Sequence, residues 1–231
     1  MRIRPLTLTT ASGAALLAAV LLPATAAGHP QPPPFGEMSV SAADLLAKVT
    51  TCSQISNGKY RTDEESSDTV PVCGKGGAVF WKADLDIDCD GQRTDKCNEN
   101  TDPWFLPDTA FHQSDGKPLR SDTLPYVVVP SVSATWDHSA AGIKGGTVAA
   151  VIHDDRLVYA VVGDTGPKRI IGEASYATAE SLGLDPDPAT GGTGSGVTYI
   201  LFKNSRVSPI ESHGAAVALG EQLAKEFIQS D

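Results

Sequence analysis

The chain lacks the usual marks of membrane proteins, thiolate-metal proteins and phosphate binders. Apart from an uncharged run from Ala11 to Leu22, too short to span a bilayer comfortably, no stretch is apolar enough for a membrane helix. No two cysteines have C-x-x-C spacing, which removes a zinc ribbon. His112, His138, His153 and His213 show no H-E-x-x-H or other ligand spacing and read as surface or hydrogen-bonded side chains. Gly192-Thr-Gly-Ser-Gly196 has neither the Lys-Ser/Thr of a phosphate loop nor the spacing of a nucleophile elbow, so it reads as a flexible loop. Asp137, His138 and Ser139, adjacent along the chain, would make a geometrically poor triad. There is no internal repeat, and neither a metal nor a cofactor is expected.

Positive charge is also scarce: 18 Lys and Arg stand against 28 Asp and Glu. Arg2 and Arg4, the run to Leu22, and the small residues Ala24 and Ala26 read as a secretory signal peptide over residues 1–26. Residues 27–38, with His29-Pro-Gln-Pro-Pro-Pro, read as an extended proline-rich leader, and 39–231 as a single domain. Removing the signal takes away two basic residues and no acid, for a formal charge of −12. That balance repels nucleic acid and anionic membranes and suits a cationic partner, although many exported proteins are acidic for solubility alone. The expected location is extracellular, and the expected state a monomer. Cys52, Cys73, Cys89 and Cys97, an even count in an exported chain, predict two disulfides. Three connectivities are open; Cys89 and Cys97, which bracket a polar loop, favour pairing with each other, leaving Cys52 for Cys73.

Hydrophobic periodicity predicts a β-rich α+β domain. Ser41-Ala-Ala-Asp44 resembles a capping box and starts a helix ending near Thr50. Strands are expected from Gly76 through the D-L-D-I-D run, at Tyr126 to Pro130, Thr147 to Ile152, Leu157 to Val162, and Val197 to Phe202. Ser175 and Ser212 are candidate N-caps, and Gly183 a helix stop. The strands are too closely spaced for βαβ units, which points to a barrel-like architecture.

The chemistry lies in carboxylates. Along Asp84 to Asp90 a period of two puts Asp84, Asp86, Asp88 and Asp90 on one face and Leu85, Ile87 and Cys89 on the other. D-I-D-C-D-G opens like a calcium loop, but counting from Asp86 the twelfth position is Cys97, not the required Glu. Four like charges in a row instead suggest a bed for a cationic ligand or a solvated face. Asp164 ends an apolar strand, and Glu173 ends a second apolar run. Such a pair could supply the neutral acid and the charged base that glycosidic hydrolysis needs. If Pro167 and Lys168 form a two-residue hairpin turn, Glu173 opposes Val162 and is the diagonal neighbour of Asp164, about 7–8 Å away on the same face. A one-residue slip would place the two on opposite faces.

These residues resemble the chitosanases of glycoside hydrolase family seventy-five. The similar stretches are D-I-D-C-D-G, P-Y-V-V-V at Pro125 to Val129, D-H-S at Asp137 to Ser139, Y-A-V-V-G-D-T, G-E-A-S at Gly172 to Ser175, and V-T-Y-I-L-F, in consistent order. The resemblance implies endo-hydrolysis of β-1,4 bonds in chitosan with inversion, Asp164 and Glu173 as the catalytic pair, and a double-psi-type β-barrel. The Asp164 charge and partial burial would raise Glu173, making it the expected general acid and Asp164 the ionised base, with Asp86 and Asp88 as first candidates for binding glucosamine ammonium groups. Trp136, Tyr159 and Tyr176 are candidate sugar-stacking rings. The alternatives are an endoglucanase or murein-cleaving barrel enzyme, a noncatalytic expansin-like polysaccharide binder, or a calcium-stabilised adhesion module.

Overall fold

A computed structural model describes residues 40–230. The signal-peptide and leader readings therefore lie outside the described residues. The elements in chain order are α1 (Ala42–Lys48), β1 (Ser53–Gln54), β2 (Cys73–Lys75), β3 (Ala78–Asp88), β4 (Tyr126–Pro130), β5 (Val148–His153), β6 (Arg156–Gly166), β7 (Glu173–Ser175), α2 (Tyr176–Leu182), β8 (Thr193–Phe202) and α3 (His213–Gln229). Among the described residues no helix is long and apolar enough to cross a membrane.

Six strands close into a mixed barrel in the order β3-β7-β4-β6-β5-β8, with β8 returning to β3. The short β1 and β2 extend from the first half of β3, while its second half runs parallel to β7. Alternation along each strand sorts the side chains. Val79, Trp81, Ala83 and Leu85 of β3 point inward with Val127, Val129, Val151, Val162, Tyr199 and Leu201. Trp81 is fully buried, stacked on Tyr199 at 5.4 Å and set edge-on to Trp136 at 6.2 Å. An enclosed ring system of that size holds about 3–5 kcal/mol against truncation to alanine.

A second apolar layer lies outside the barrel wall. Phe80, Ile152, Tyr159, Val161 and Phe202 face outward and are covered by Leu45 and Val49 of the α1 segment and Ala216, Ala224 and Phe227 of α3. The caps predicted from sequence are present. Ser41 and Asp44 form a capping box on α1, Ser175 accepts the Thr178 N–H at the start of α2, and Gly183 ends α2 in the left-handed conformation at φ 72°. Ser212 accepts the Ala215 N–H at the start of α3. The disulfides pair Cys52 with Cys73 and Cys89 with Cys97. The first ties the chain after α1 to β2, and the second closes the loop directly after the acidic end of β3.

The hairpin register inferred for Asp164 and Glu173 does not occur. β6 and β7 are not neighbours, because β4 lies between them, parallel to β6 and antiparallel to β7. The segment between them reverses direction across the end of β4, so Asp164 pairs with Val128 of β4 and Glu173 with Asp86 of β3, each more than 30 residues upstream.

Candidate active site

On the outer face the barrel places a row of side chains across four strands. Asp86 of β3 pairs with Glu173 of β7, and Val128 of β4 pairs with Asp164 of β6. Val127 opposes Ala174, so the same antiparallel register sets Val128 beside Glu173. The order across the surface is thus Asp86, Glu173, Val128, Asp164. Two strand spacings separate the Asp164 and Glu173 α-carbons by about 10 Å, with the small Val128 side chain as the floor between them.

A β-bulge puts Asp164 on this face. Tyr126 opposes Val161 and Val127 opposes Val162, but the next pair is Val128 with Asp164, so Gly163 is the extra residue. Without it the alternation would turn Asp164 into the barrel with Val162, and bulges beside functional sites commonly re-aim a side chain in this way. Gly163 also packs flat on Tyr126: an added Cβ would lie 2.6 Å from the Tyr126 Cβ and 2.8 Å from Leu119 Cδ1. Both neighbours are fully buried and cannot step aside. Gly163→Ala is expected to cost about 1–3 kcal/mol by overpacking, read as a lower Tm, and to reduce activity beyond what the stability loss explains.

The row floors a cleft of about 560 Å³ lined by Asp86, Asp88, Asp90, Asp102, Trp104, Leu106, Val128, Asp164 and Glu173, among others. One wall is the long loop between β3 and β4, and the acids themselves hold it by accepting backbone N–H groups. Asp90 accepts from Leu106 at 2.6 Å, Asp102 from Trp104 at 2.8 Å, and Asp164 from Ala110 at 2.8 Å. Asp164 takes a second bond from its neighbour Thr165 at 2.6 Å. One carboxylate oxygen from each of Asp88, Asp90 and Asp164 lies within 4.8 Å of the others.

Burial and crowding raise the acids unequally. Glu173 is pushed up to about 7, first by burial and then by the charges of Asp86, Asp164 and Asp90. Asp90 is raised to about 6, mainly by burial. Asp88 lies well above the usual carboxylate range, through burial and then the Asp164 and Asp90 charges. Asp164 is raised by burial, but the N–H groups of Ala110 and Thr165 oppose that rise by favouring its anion. The cleft therefore holds Glu173, poised to carry a proton near neutrality, beside a carboxylate whose ionised form is hydrogen-bonded.

Asp164, Glu173, Asp86 and Asp88 come together in this cleft, whereas the three aromatic candidates do not line it. Trp136 is 6% exposed, in the barrel core between Trp81 and His138. Tyr159 is also 6% exposed, pressed beneath Gly220 of α3. Tyr176, half-buried at the start of α2, carries the Lys96 ammonium over its ring at 4.6 Å. The ring that does line the cleft is Trp104, 86% exposed, with Leu106 beside it. It sits in a stretch without periodicity; the one sequence signal for it was an aromatic in an otherwise polar, loop-forming segment.

Comparison with known proteins finds similarity to chitosanases. The family model described as fungal chitosanase of glycosyl hydrolase group 75 matches residues 85–230. An endo-chitosanase C of Aspergillus oryzae is 29% identical over 170 residues, 72% of this chain and 42% of that protein. The chain thus spans less than half of that relative. An endo-chitosanase of Aspergillus fumigatus is 29% identical over 196 residues, covering 78% of this chain and 80% of its own. An endo-chitosanase B of Aspergillus oryzae is 30% identical over 158 residues, 64% of this chain and 65% of its own.

Proposed function

Because the chain belongs to the glycosyl hydrolase group 75 chitosanases, we propose that it is a secreted, monomeric endo-chitosanase that cleaves β-1,4 bonds with inversion, using Glu173 as general acid and Asp164 as general base. The observation that carries this reading is the placement of the two carboxylates on one face, separated by Val128, in an acidic cleft. The α-carbon spacing of about 10 Å leaves room for a water between carboxyl groups at the roughly 6.5–9.5 Å typical of inverting enzymes.

In the proposed step the Glu173 O–H donates its proton to the glycosidic oxygen as the bond from that oxygen to the anomeric carbon breaks. Asp164 takes a proton from a water that forms the new bond to the same carbon on the opposite face. Glu173 is left ionised and Asp164 protonated, and exchange with solvent restores both. Asp86, Asp88 and Asp90 offer carboxylates to the substrate's ammonium groups, which also explains why so many acids are gathered with no basic side chain lining the cleft among the described residues. The two disulfides fit an oxidising compartment. The mixed six-strand closure supports the double-psi reading of the barrel.

Proton NMR of the sugars released from chitosan at early times tests this reading. The expected result is α-anomers, inverted from the β linkage, in internal fragments. Retained β-anomers, or no release of reducing ends, would sink it. Trp104 is expected to stack on a sugar ring. Such contacts contribute about 0.5–1.5 kcal/mol, so Trp104→Ala should raise KM about twofold to tenfold with little change in kcat, measured by steady-state hydrolysis of chitosan.

A further inference from the structure

We propose that Asp63, Asp84 and Asp86 form a binding site for a hard divalent cation of the calcium class at the margin of the cleft, beside the catalytic row. One carboxylate oxygen of each lies within 4.8 Å of the others. Oxygens bound to a common calcium ion at 2.3–2.6 Å fall within about 5 Å of one another, so the three fit a shared ion, with water completing the shell. All donors are oxygens, with neither imidazole nor thiolate, which selects calcium or magnesium over transition metals.

An independent feature of Asp84 points to a ligand. Asp84 is 3% exposed, and its Oδ1 is buried without a hydrogen-bond partner among the described residues. A buried carboxylate oxygen left unpaired is costly, and a cation is the partner that would satisfy it. Its position is fixed by close packing: a Cβ on Gly172 would lie 1.9 Å from Asp84 Oδ1, and Gly172 holds φ +125°. The Asp63 loop has cations of its own but directs them elsewhere. Arg61 and Arg169 both pair with Asp68, at 3.0 and 2.6 Å, while among the described residues the Asp63 carboxylate accepts only the hydroxyls of Thr62 and Ser66. That loop is already sewn to the segment before Glu173, through Arg61 N–H to the Arg169 carbonyl and Ile171 N–H to the Arg61 carbonyl, each 3.0 Å. An ion would add a third tie, from the loop to β3. The absence of a metal ligand expected from histidine and cysteine spacing does not extend to this oxygen set, because Asp63 is brought to β3 only by the fold.

The test is melting of the full chain after EDTA treatment, without substrate, so that its outcome is independent of the catalytic assignment. About 10 mM calcium chloride should raise Tm by about 3 °C or more relative to sodium chloride at equal ionic strength, given a Kd in the range of extracellular calcium modules. Asp63→Asn, a change at an exposed position, should fold and lose that rise, whereas Asp90→Asn should keep it. No rise in the wild type overturns the proposal, as does an equal rise in Asp63→Asn. A rise lost only in Asp90→Asn assigns the ion to the cleft acids and overturns it too. Glucosamine reproducing the rise where calcium does not would make the trio an ammonium subsite, which also overturns it.

Discussion

Glu173→Gln is expected to lower kcat on chitosan by about 10²–10⁴-fold, the usual contribution of a positioned general acid, while leaving the fold intact. The isosteric amide keeps the contact with Gly166, whose added Cβ would lie 2.4 Å from Glu173 Oε2, but carries no transferable proton. The loss should depend on the leaving group. An aryl chitooligosaccharide, whose phenolate departs without protonation, should lose far less than chitosan. Equal losses on both substrates would remove Glu173 from the acid role. In the wild type, a free-enzyme value of about 7 sets the alkaline limb of kcat/KM, which should fall as pH rises through 7.

The same raised value makes a stability statement of known sign. An acid raised from 4.5 to about 7 binds more protons folded than unfolded, so its contribution is most favourable below 4.5 and is lost as pH climbs to about 7. Since Glu173 is half-buried, solvent screening reduces the difference to something on the order of 1–2 kcal/mol. Glu173→Gln should therefore melt no lower than wild type at pH 7.5, and the gap between the two should narrow at pH 4.5. A variant that melts lower at both values would indicate a structural role instead.

What the sequence disclosed was local. The capping serines at 41, 175 and 212, the left-handed Gly183, and the period-two ladder as far as Asp88, where β3 ends short of Asp90, express short-range backbone and patterning rules, and each recurs in the structure. The Asp164 to Glu173 register was not local. A nine-residue separation looks like a hairpin, yet Asp164 pairs with Val128 of β4 and Glu173 with Asp86 of β3, and which strand slips between two others is decided by barrel closure. The shared face survived for a different reason, the bulge at Gly163, since a single extra residue reverses the alternation. Aromatic identity alone did not distinguish Trp136 and Tyr159, which the core needs, from Trp104, which the β3–β4 loop holds in the open. The loop's position depends on its Leu106 and Ala110 N–H groups donating to Asp90 and Asp164, carboxylates outside the loop's own turns, which no periodicity encodes.

Asp164→Asn is expected to lower kcat by a similar factor of about 10²–10⁴, but with a different signature. Asparagine can still accept the Ala110 and Thr165 N–H groups through its amide oxygen, so the β3–β4 loop and Trp104 should stay in place and KM should change little. What is lost is the basic carboxylate that takes the proton from water. Since water activation is needed whatever the leaving group, chitosan and the aryl substrate should be slowed alike, the opposite of the Glu173→Gln pattern. The Asp164 charge also helps to raise Glu173. Removing it should move the alkaline limb of the residual activity to lower pH. A limb that stays in place, or a loss confined to KM, would mean that Asp164 holds the loop and the substrate without acting on water. Crossed leaving-group responses together with a displaced limb would assign acid and base separately, which the spacing of the two carboxylates cannot do, because geometry treats the pair as symmetric and only their hydrogen bonds and burial distinguish them.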